Sequence, residues 1–217
     1  MDPSGKETVL FRFANDPRKF GDYPSAGLVR DPDGNLFGTA SRWGSGNSGT
    51  VFKIGAKHGK TVLHAFDWTT PDPDAGLIQD AEGNFYGTTN GPNGTVYKLD
   101  SLGNVTTLYE FDGTHGSEPF LGGVVMDAAG NLYGTTAGGG IVGCTANGFS
   151  GCGVVYKLDP SGNLTVLYQF TGGTDGANPE TGVILDAAGN LYGTTTFGGK
   201  VNSNCPNGCG VIFKITP

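Results

Sequence analysis

The sequence repeats itself four times, and this periodicity constrains the fold more than any other feature. Gly-Asn-Leu-Phe-Gly-Thr begins at Gly34. It returns as Gly-Asn-Phe-Tyr-Gly-Thr-Thr at Gly83, and as Gly-Asn-Leu-Tyr-Gly-Thr-Thr at Gly130 and Gly189. Three other strings keep step with it. Gly-Leu-Val-Arg-Asp (27–31) recurs at 76–80, 123–127 and 182–186; Thr-Val-Phe-Lys-Ile (50–54) recurs at 95–99, 154–158 and 211–215; Thr-Val-Leu-Phe-Arg-Phe (8–13) recurs at 61–66, 106–111 and 165–170. Each repeat therefore holds four short runs rich in Val, Leu, Ile, Tyr and Phe, bounded by Gly, Pro, Asn or Asp, as strands between turns are. Four strands in roughly 40–50 residues is the size of a propeller blade. A parallel β-helix needs shorter coils, and an immunoglobulin sandwich does not repeat.

The turns predict an antiparallel meander. Asp31-Pro-Asp-Gly-Asn35 joins the first run to the second, with counterparts at 80–84, 127–131 and 186–190. The glycine supplies a positive φ, and the aspartate can accept backbone N–H bonds within the turn. Calcium ligation is a second reading of these four aspartates, but one Asp per turn, in phase, favours turn geometry.

The phase also predicts how the ring closes. Residues 2–11 closely match residues 159–168, and the chain ends at Pro217 where another Asp-Pro-Ser-Gly would follow. The run at 8–13 is thus expected as the outermost strand of the last blade, beside runs near 182–186, 190–195 and 210–216, leaving no free sheet edge. The expectation is an all-β, four-bladed propeller of four-stranded antiparallel blades. It forms one domain over 1–217, with repeats near 14–66, 67–111, 112–170, and 171–217 plus 1–13. A monomer is expected, with a larger ring made by two chains as the alternative.

Composition narrows the function classes. The 217 residues include 40 Gly, but no Gly-X-Y period runs through them, so collagen is excluded. The net charge is -7 and the basic residues are scattered, which gives no footprint for nucleic acid or for an anionic membrane surface. No apolar run approaches the roughly 20 residues of a membrane helix. No signal peptide is visible at Met1. The four cysteines form two local pairs, Cys144 with Cys152 and Cys205 with Cys209, in Gly/Asn-rich loops. Disulfides fit this spacing and an oxidising compartment, and closing each loop is worth roughly 2–3 kcal/mol. Zinc is the weaker reading, because His58, His64 and His115 all lie far from the cysteines in sequence.

The strings Gly130-Asn-Leu-Tyr-Gly-Thr-Thr136, Gly153-Val-Val-Tyr-Lys-Leu-Asp159 and Leu164-Thr-Val-Leu-Tyr-Gln-Phe170 resemble the Gloeobacter/Verrucomicrobia-type tandem repeat of secreted bacterial proteins. The resemblance covers nearly the whole chain. More loosely, residues 182–192 are similar to NHL-type propeller blades. The first resemblance implies export: an extracellular, cell-surface or periplasmic protein. It implies no activity, and fold analogy supplies none.

If the blades follow NHL-like order, two sets of long, unequal loops share one face: 14–26, 67–75, 112–122 and 171–181, with 41–49, 90–94, 137–152 and 196–209. Function concentrates on such loops. Residues repeated in every blade, such as Lys53, Lys98, Lys157 and Lys214, read as scaffold; residues that break the pattern are the candidates. Around the recurring Pro-x-x-Gly these are Tyr23, Asp72, Asp74, Glu118, Phe120, Asn178 and Glu180, with Asp112, His115, Arg42, Trp43 and Trp68 in adjacent loops. A tryptophan face suits stacking on a sugar ring, although both Trp residues could equally cover a small core. The expectation is therefore a glycan-binding module using Tyr23, Arg42, Trp43, Trp68, Asp112, His115, Phe120 and Asn178. One alternative is a glycoside hydrolase drawing a carboxylate pair from Asp72, Asp74, Glu118 and Glu180, which requires about 5–5.5 Å between carboxyls for retention or 6.5–9.5 Å for inversion. Another is a purely structural repeat. No Ser-His-Asp arrangement, phosphate loop or dinucleotide fingerprint is present, and no cofactor or metal is expected.

Overall fold

A computed structural model describes residues 5–13, 17–57, 59–146 and 148–217. His58 and part of the 14–26 loop lie outside them. A single short helix, α1 (Pro17–Phe20), precedes an all-β array. Sheet one is β1 (Val29–Arg30), β2 (Leu36–Ala40), β3 (Thr50–Ile54) and β4 (Lys60–Ala65). Sheet two is β5 (Ile78–Gln79), β6 (Phe85–Thr89), β7 (Thr95–Leu99) and β8 (Val105–Glu110). Sheet three begins with β9 (Val124–Met126) and β10 (Leu132–Thr136). A small hairpin, β11 (Thr145–Ala146) and β12 (Phe149–Ser150), then intervenes before β13 (Val154–Leu158) and β14 (Leu164–Gln169) complete the sheet. Sheet four is β15 (Ile184–Leu185), β16 (Leu191–Thr194) and β17 (Ile212–Ile215). Every pairing within these sheets is antiparallel and follows chain order, as a meander requires.

The repeated residues build this frame. In each first turn the Asp accepts the Asn backbone N–H on one oxygen and the Asn side-chain amide on the other, as Asp127 does from Asn131 at 2.9 and 2.7 Å. Both carboxylate oxygens are thereby committed to the turn, and no cluster of three or more His, Cys, Asp or Glu able to hold a metal occurs among the described residues. The recurring lysines lie over the aromatic ring of the neighbouring strand: Lys53 over Phe37, Lys98 over Tyr86, Lys157 over Tyr133 and Lys214 over Tyr192, at 5.4–6.0 Å. Both disulfides form, Cys144–Cys152 and Cys205–Cys209.

The core lies between sheets. One apolar cluster joins sheet one to sheet two through Phe37, Val51 and Phe66 against Leu77, Phe85 and Tyr97. Equivalent clusters join sheets two and three, and sheets three and four. Each contact carries an edge-to-face aromatic latch. The Phe that follows one sheet's outer strand meets the third-strand aromatic of the next sheet: Phe66 with Tyr97, Phe111 with Tyr156, Phe170 with Phe213, all with ring centroids 5.2 Å apart. Such pairs add about 0.5–1.5 kcal/mol beyond their buried area.

The expected closure is not formed. Sheet four has three strands, and residues 8–12 belong to no strand. Phe13 instead packs on Phe52 of sheet one, again at 5.2 Å, taking the place that Phe66 takes on sheet two. The segment keeps one of an outer strand's two relationships, the latch to the following sheet, and lacks the other, the ladder to a preceding one. Repeat phase fixes which positions are equivalent; it does not bring the two ends of the array together.

Candidate functional site

The connection before each sheet passes through one distinctive residue. Tyr23, Asp72, Glu118 and Asn178 each precede a proline and each adopt a left-handed backbone, with φ of 57°, 59°, 55° and 52°. For a side-chain-bearing residue this conformation costs roughly 1–2 kcal/mol. Main-chain bonds hold it. The carbonyls of Asp72, Glu118 and Asn178 accept from Asn90, Ala137 and Thr196 of their own sheets, while their N–H groups donate to Ser48, Asn93 and Cys152 of the preceding sheets. Asp72, Glu118 and Asn178 are thus staples between consecutive connections, the Tyr23 carbonyl accepts from Ser41 within its own sheet's loops, and the sequence varies the group that each of the four carries.

Three of those groups are accessible. Tyr23 is exposed, and Asp72 and Glu118 are half-buried. Asn178 is fully buried and donates its side-chain amide to the Ala137 carbonyl at 2.7 Å. The structure therefore makes Asn178 a tie within the fold rather than a surface contact.

The strongest convergence lies between sheets one and two. A cavity of about 820 Å³ is lined by Arg18, Arg42, Trp43, Asn47, Trp68 and Asp72, together with Gly44 and Ser45. Trp43 and Trp68 are the chain's only tryptophans and remain 47% and 77% exposed, so neither serves as core. Local structure holds both in place. Trp43 has a φ of 60°, and its carbonyl accepts from Gly49 at 2.7 Å within the β2–β3 loop. Trp68 stands on a turn in which Asp67 Oδ1 accepts the Thr69 N–H at 2.9 Å and the Thr69 hydroxyl at 2.6 Å. Asp22 pairs with Arg42 as an isolated bridge, which lays the segment after α1 along this loop.

Arg42 links this cavity to a second one. Its guanidinium lies 4.7 Å from the Tyr23 ring centroid. The adjoining cavity, about 380 Å³, is lined by Tyr23, Arg42, Asp72, Asp74, Asn90 and Phe120, among others. Burial, and then the nearby Asp74 charge, push the Asp72 carboxyl above its ordinary range, while Arg42 pulls it back. Burial likewise raises Asp74 against Ser41 and Arg42. One guanidinium thus serves two carboxylates that are both costly to ionise.

The other expected residues lie apart. Glu118, raised by burial, and Asp112 line a separate depression of about 430 Å³ with Asn93, Ser117 and Val142. Asp112 is tied to His115: its two carboxylate oxygens meet the His115 N–H and Nδ1, each at 2.7 Å, which holds its carboxyl below the usual range. Glu180 lines none of these three cavities. Of the four carboxylates considered for catalysis, the structure gathers Asp72 and Asp74. Four residues that line the cavity of about 820 Å³ were not singled out by sequence: Arg18, Gly44, Ser45 and Asn47. Asn47, with a φ of 64°, sits in a Ser-Gly-Asn-Ser-Gly run that signals a turn, whereas nothing in the sequence distinguishes Arg18.

Residues 90–217, more than half of the chain, match the Gloeobacter/Verrucomicrobia repeat. No curated relative matches the sequence. Three solved structures are similar in fold at low identity. A protein assigned as a gluconolactonase shares 15% identity over 88% of this chain and 63% of its own, with a TM-score of 0.49. A luciferin-regenerating enzyme shares 17% over 88% and 60%, with a TM-score of 0.49. A gluconolactonase from Xanthomonas campestris shares 16% over 94% and 83%, with a TM-score of 0.44. The chain spans less than two thirds of the length of the first two.

Proposed function

The chain belongs to the Gloeobacter/Verrucomicrobia repeat family, and we propose that it is a propeller-type binding module that recognises glycans in the cleft between its first two sheets. The observation that carries this reading is the placement of both tryptophans, exposed, in one cavity with Arg18, Arg42 and Asp72. Indole faces accept the C–H face of a pyranose, and an arginine–carboxylate pair addresses neighbouring hydroxyls; few polar groups among aromatic walls is how small-molecule sites gain orientation. Two disulfides support an oxidising compartment outside the cytoplasm, where such glycans are met.

A glycan array followed by calorimetry on the best ligand tests the proposal. Trp68→Ala is expected to weaken binding at least about tenfold, a loss of 1.4 kcal/mol, without moving the melting temperature. A protein that binds no glycan on the array, or a Trp68→Ala variant that binds as tightly as wild type, sinks the reading.

A second reading rests on Asp72 and Asp74. A carboxyl raised by burial is suited to donating a proton, and a glycoside hydrolase needs one protonated and one ionised carboxyl. Turnover of chromogenic glycosides that is lost in Asp72→Asn would favour this reading over simple binding.

A further inference from the structure

The two ends of the array expose the residues that its interior buries. Val51, Val96 and Val155 stand at equivalent positions of the third strands, and all are fully buried against the following sheet; their counterpart in sheet four, Ile212, is 85% exposed. Ile78 and Val125 are half-buried, whereas their counterpart Ile184 is 70% exposed. At the opposite end, Leu77, Val124 and Val183 are buried against the preceding sheet, and their counterpart Leu28 is 54% exposed. Among the described residues, no fourth strand pairs with the outer edge of β17. Residues 11 and 13 meanwhile keep the ring pairing found at the end of an outer strand. Phe11 and Phe13 make the edge-to-face pair, centroids 5.2 Å apart, that His64–Phe66, Tyr109–Phe111 and Tyr168–Phe170 make elsewhere. What sheet one lacks is the sheet that should stand before it; what sheet four lacks is the strand that should follow.

We propose that a second copy of this chain fills both vacancies, head to tail. Sheet four of one copy packs its Ile184 and Ile212 face onto the Leu28 face of the other copy's sheet one, and the 8–13 segment of that second copy adds to the edge of β17. The interface continues, residue for residue, the three interfaces already built between sheets one to four, so its chemistry is the fold's own. Strand addition satisfies the open backbone edge, and the exposed isoleucines supply apolar area. A head-to-tail contact between identical chains closes when two copies each use both ends, giving a ring with no free face. Closure within one chain would bury Ile212 and Leu28 against each other's sheets, and the single chain leaves both exposed.

Sedimentation equilibrium, run across a wide concentration series, tests this. The expected mass is twice that of the 22.3 kDa chain. Ile212→Asp and Leu28→Asp each break the dimer, because each spoils one end of both contacts. Both positions are exposed in the single chain, so the melting curves stay those of a folded protein; Ile184→Asp serves as a second variant of the same face. Mixing Ile212→Asp with Leu28→Asp restores one intact contact, so the mixture associates about tenfold or more tightly than either variant alone. A monomer at every concentration overturns the proposal, whether open or closed on itself. A dimer lost in Ile212→Asp but kept in Leu28→Asp reveals a symmetric contact between sheet-four faces and overturns it as well.

Discussion

Tyr192 donates its hydroxyl to Asp186 Oδ2 at 3.0 Å, and Tyr133 to Asp127 and Tyr86 to Asp80 repeat the bond at the same length. Hydrogen bonds from Asn190 to the Asp186 carboxylate, side chain and backbone, come first in lowering its pKa to about 2, and Tyr192 adds to them. At Asp80 and Asp127 burial pushes upward, and the bonds from Asn and Tyr outweigh it. A carboxyl whose folded pKa lies below its unfolded value stabilises the fold above the unfolded pKa, and that contribution is lost as pH falls through the folded one. The melting temperature should therefore fall steadily between about pH 4 and pH 2. Calorimetry at intervals of pH checks this, and a flat profile over that window would contradict it.

The first turn differs in one atom. Phe37 stands where the other sheets have Tyr, so Asp31 keeps its bonds to Asn35 and has no hydroxyl to accept. Asp127→Ala should cost about 2 kcal/mol, from several hydrogen bonds at about 1 kcal/mol each less partial replacement by water. Asp31→Ala should cost less. Urea titration of the two variants side by side measures the difference.

Tyr97 and Tyr156 bury their hydroxyls with no protein partner among the described residues, although their rings form two of the interior latches. Each hydroxyl approaches a strand glycine so closely that a Cβ there would lie 2.7 Å from it at Gly87 and 2.5 Å at Gly134. Sheets one and four use Phe52 and Phe213 in the same latch. Tyr97→Phe is therefore expected to hold or raise stability, by up to about 1 kcal/mol, because an unpaired buried hydroxyl carries a desolvation penalty. Loss of more than that on chemical denaturation would mean the hydroxyl has a role the latch does not explain.

Cys152 is fully buried beside Phe170 and Ala177, and its disulfide to Cys144 closes a loop with a sequence separation of 8. Replacing both cysteines by Ala should cost about 2–3 kcal/mol if constraint of the unfolded chain dominates. Melts of the double-Ala variant beside the unaltered chain, both without reductant, measure this one bridge while Cys205–Cys209 stays intact.

Ligand affinity should depend on pH through Asp72 and Asp74. Both titrate above the ordinary carboxylate range because burial disfavours their charge. If ionised carboxylate accepts ligand hydroxyls, affinity is full at neutral pH and declines as pH falls into that raised range, earlier than an exposed aspartate would allow. Asp72→Asn should flatten the profile, and a profile identical in variant and wild type would remove Asp72 from recognition.

Much of the frame was legible in the sequence. The in-phase glycines, the Asp-x-x-Gly-Asn turns and the aromatic runs are local signals, and local signals fix strands and hairpins directly. The same phase marked the residues that break the pattern, and four of them, Arg42, Trp43, Trp68 and Asp72, line one cavity. What the sequence left out was the distance between loops of different sheets. Asp72 and Glu118 hold equivalent places in neighbouring connections yet line different cavities, and Asn178, equivalent again, turns inward to Ala137. Closure failed for a related reason. The match between residues 2–11 and 159–168 is a statement about sequence, whereas meeting end to end depends on the angle between successive sheets, which no single repeat encodes.

The left-handed residues before the prolines separate two tasks that most positions combine. At Asp72 and Glu118 the fastening is made by main chain on both sides and the side chains are left out of it, whereas Asn178 adds its side-chain amide to the main-chain bonds. The chain already carries a phenol, two carboxylic acids and an amide at these four places. Asp72 and Glu118 behave as sockets: a library varied there alone would sample new surface chemistries while leaving the sheets that present them unaltered.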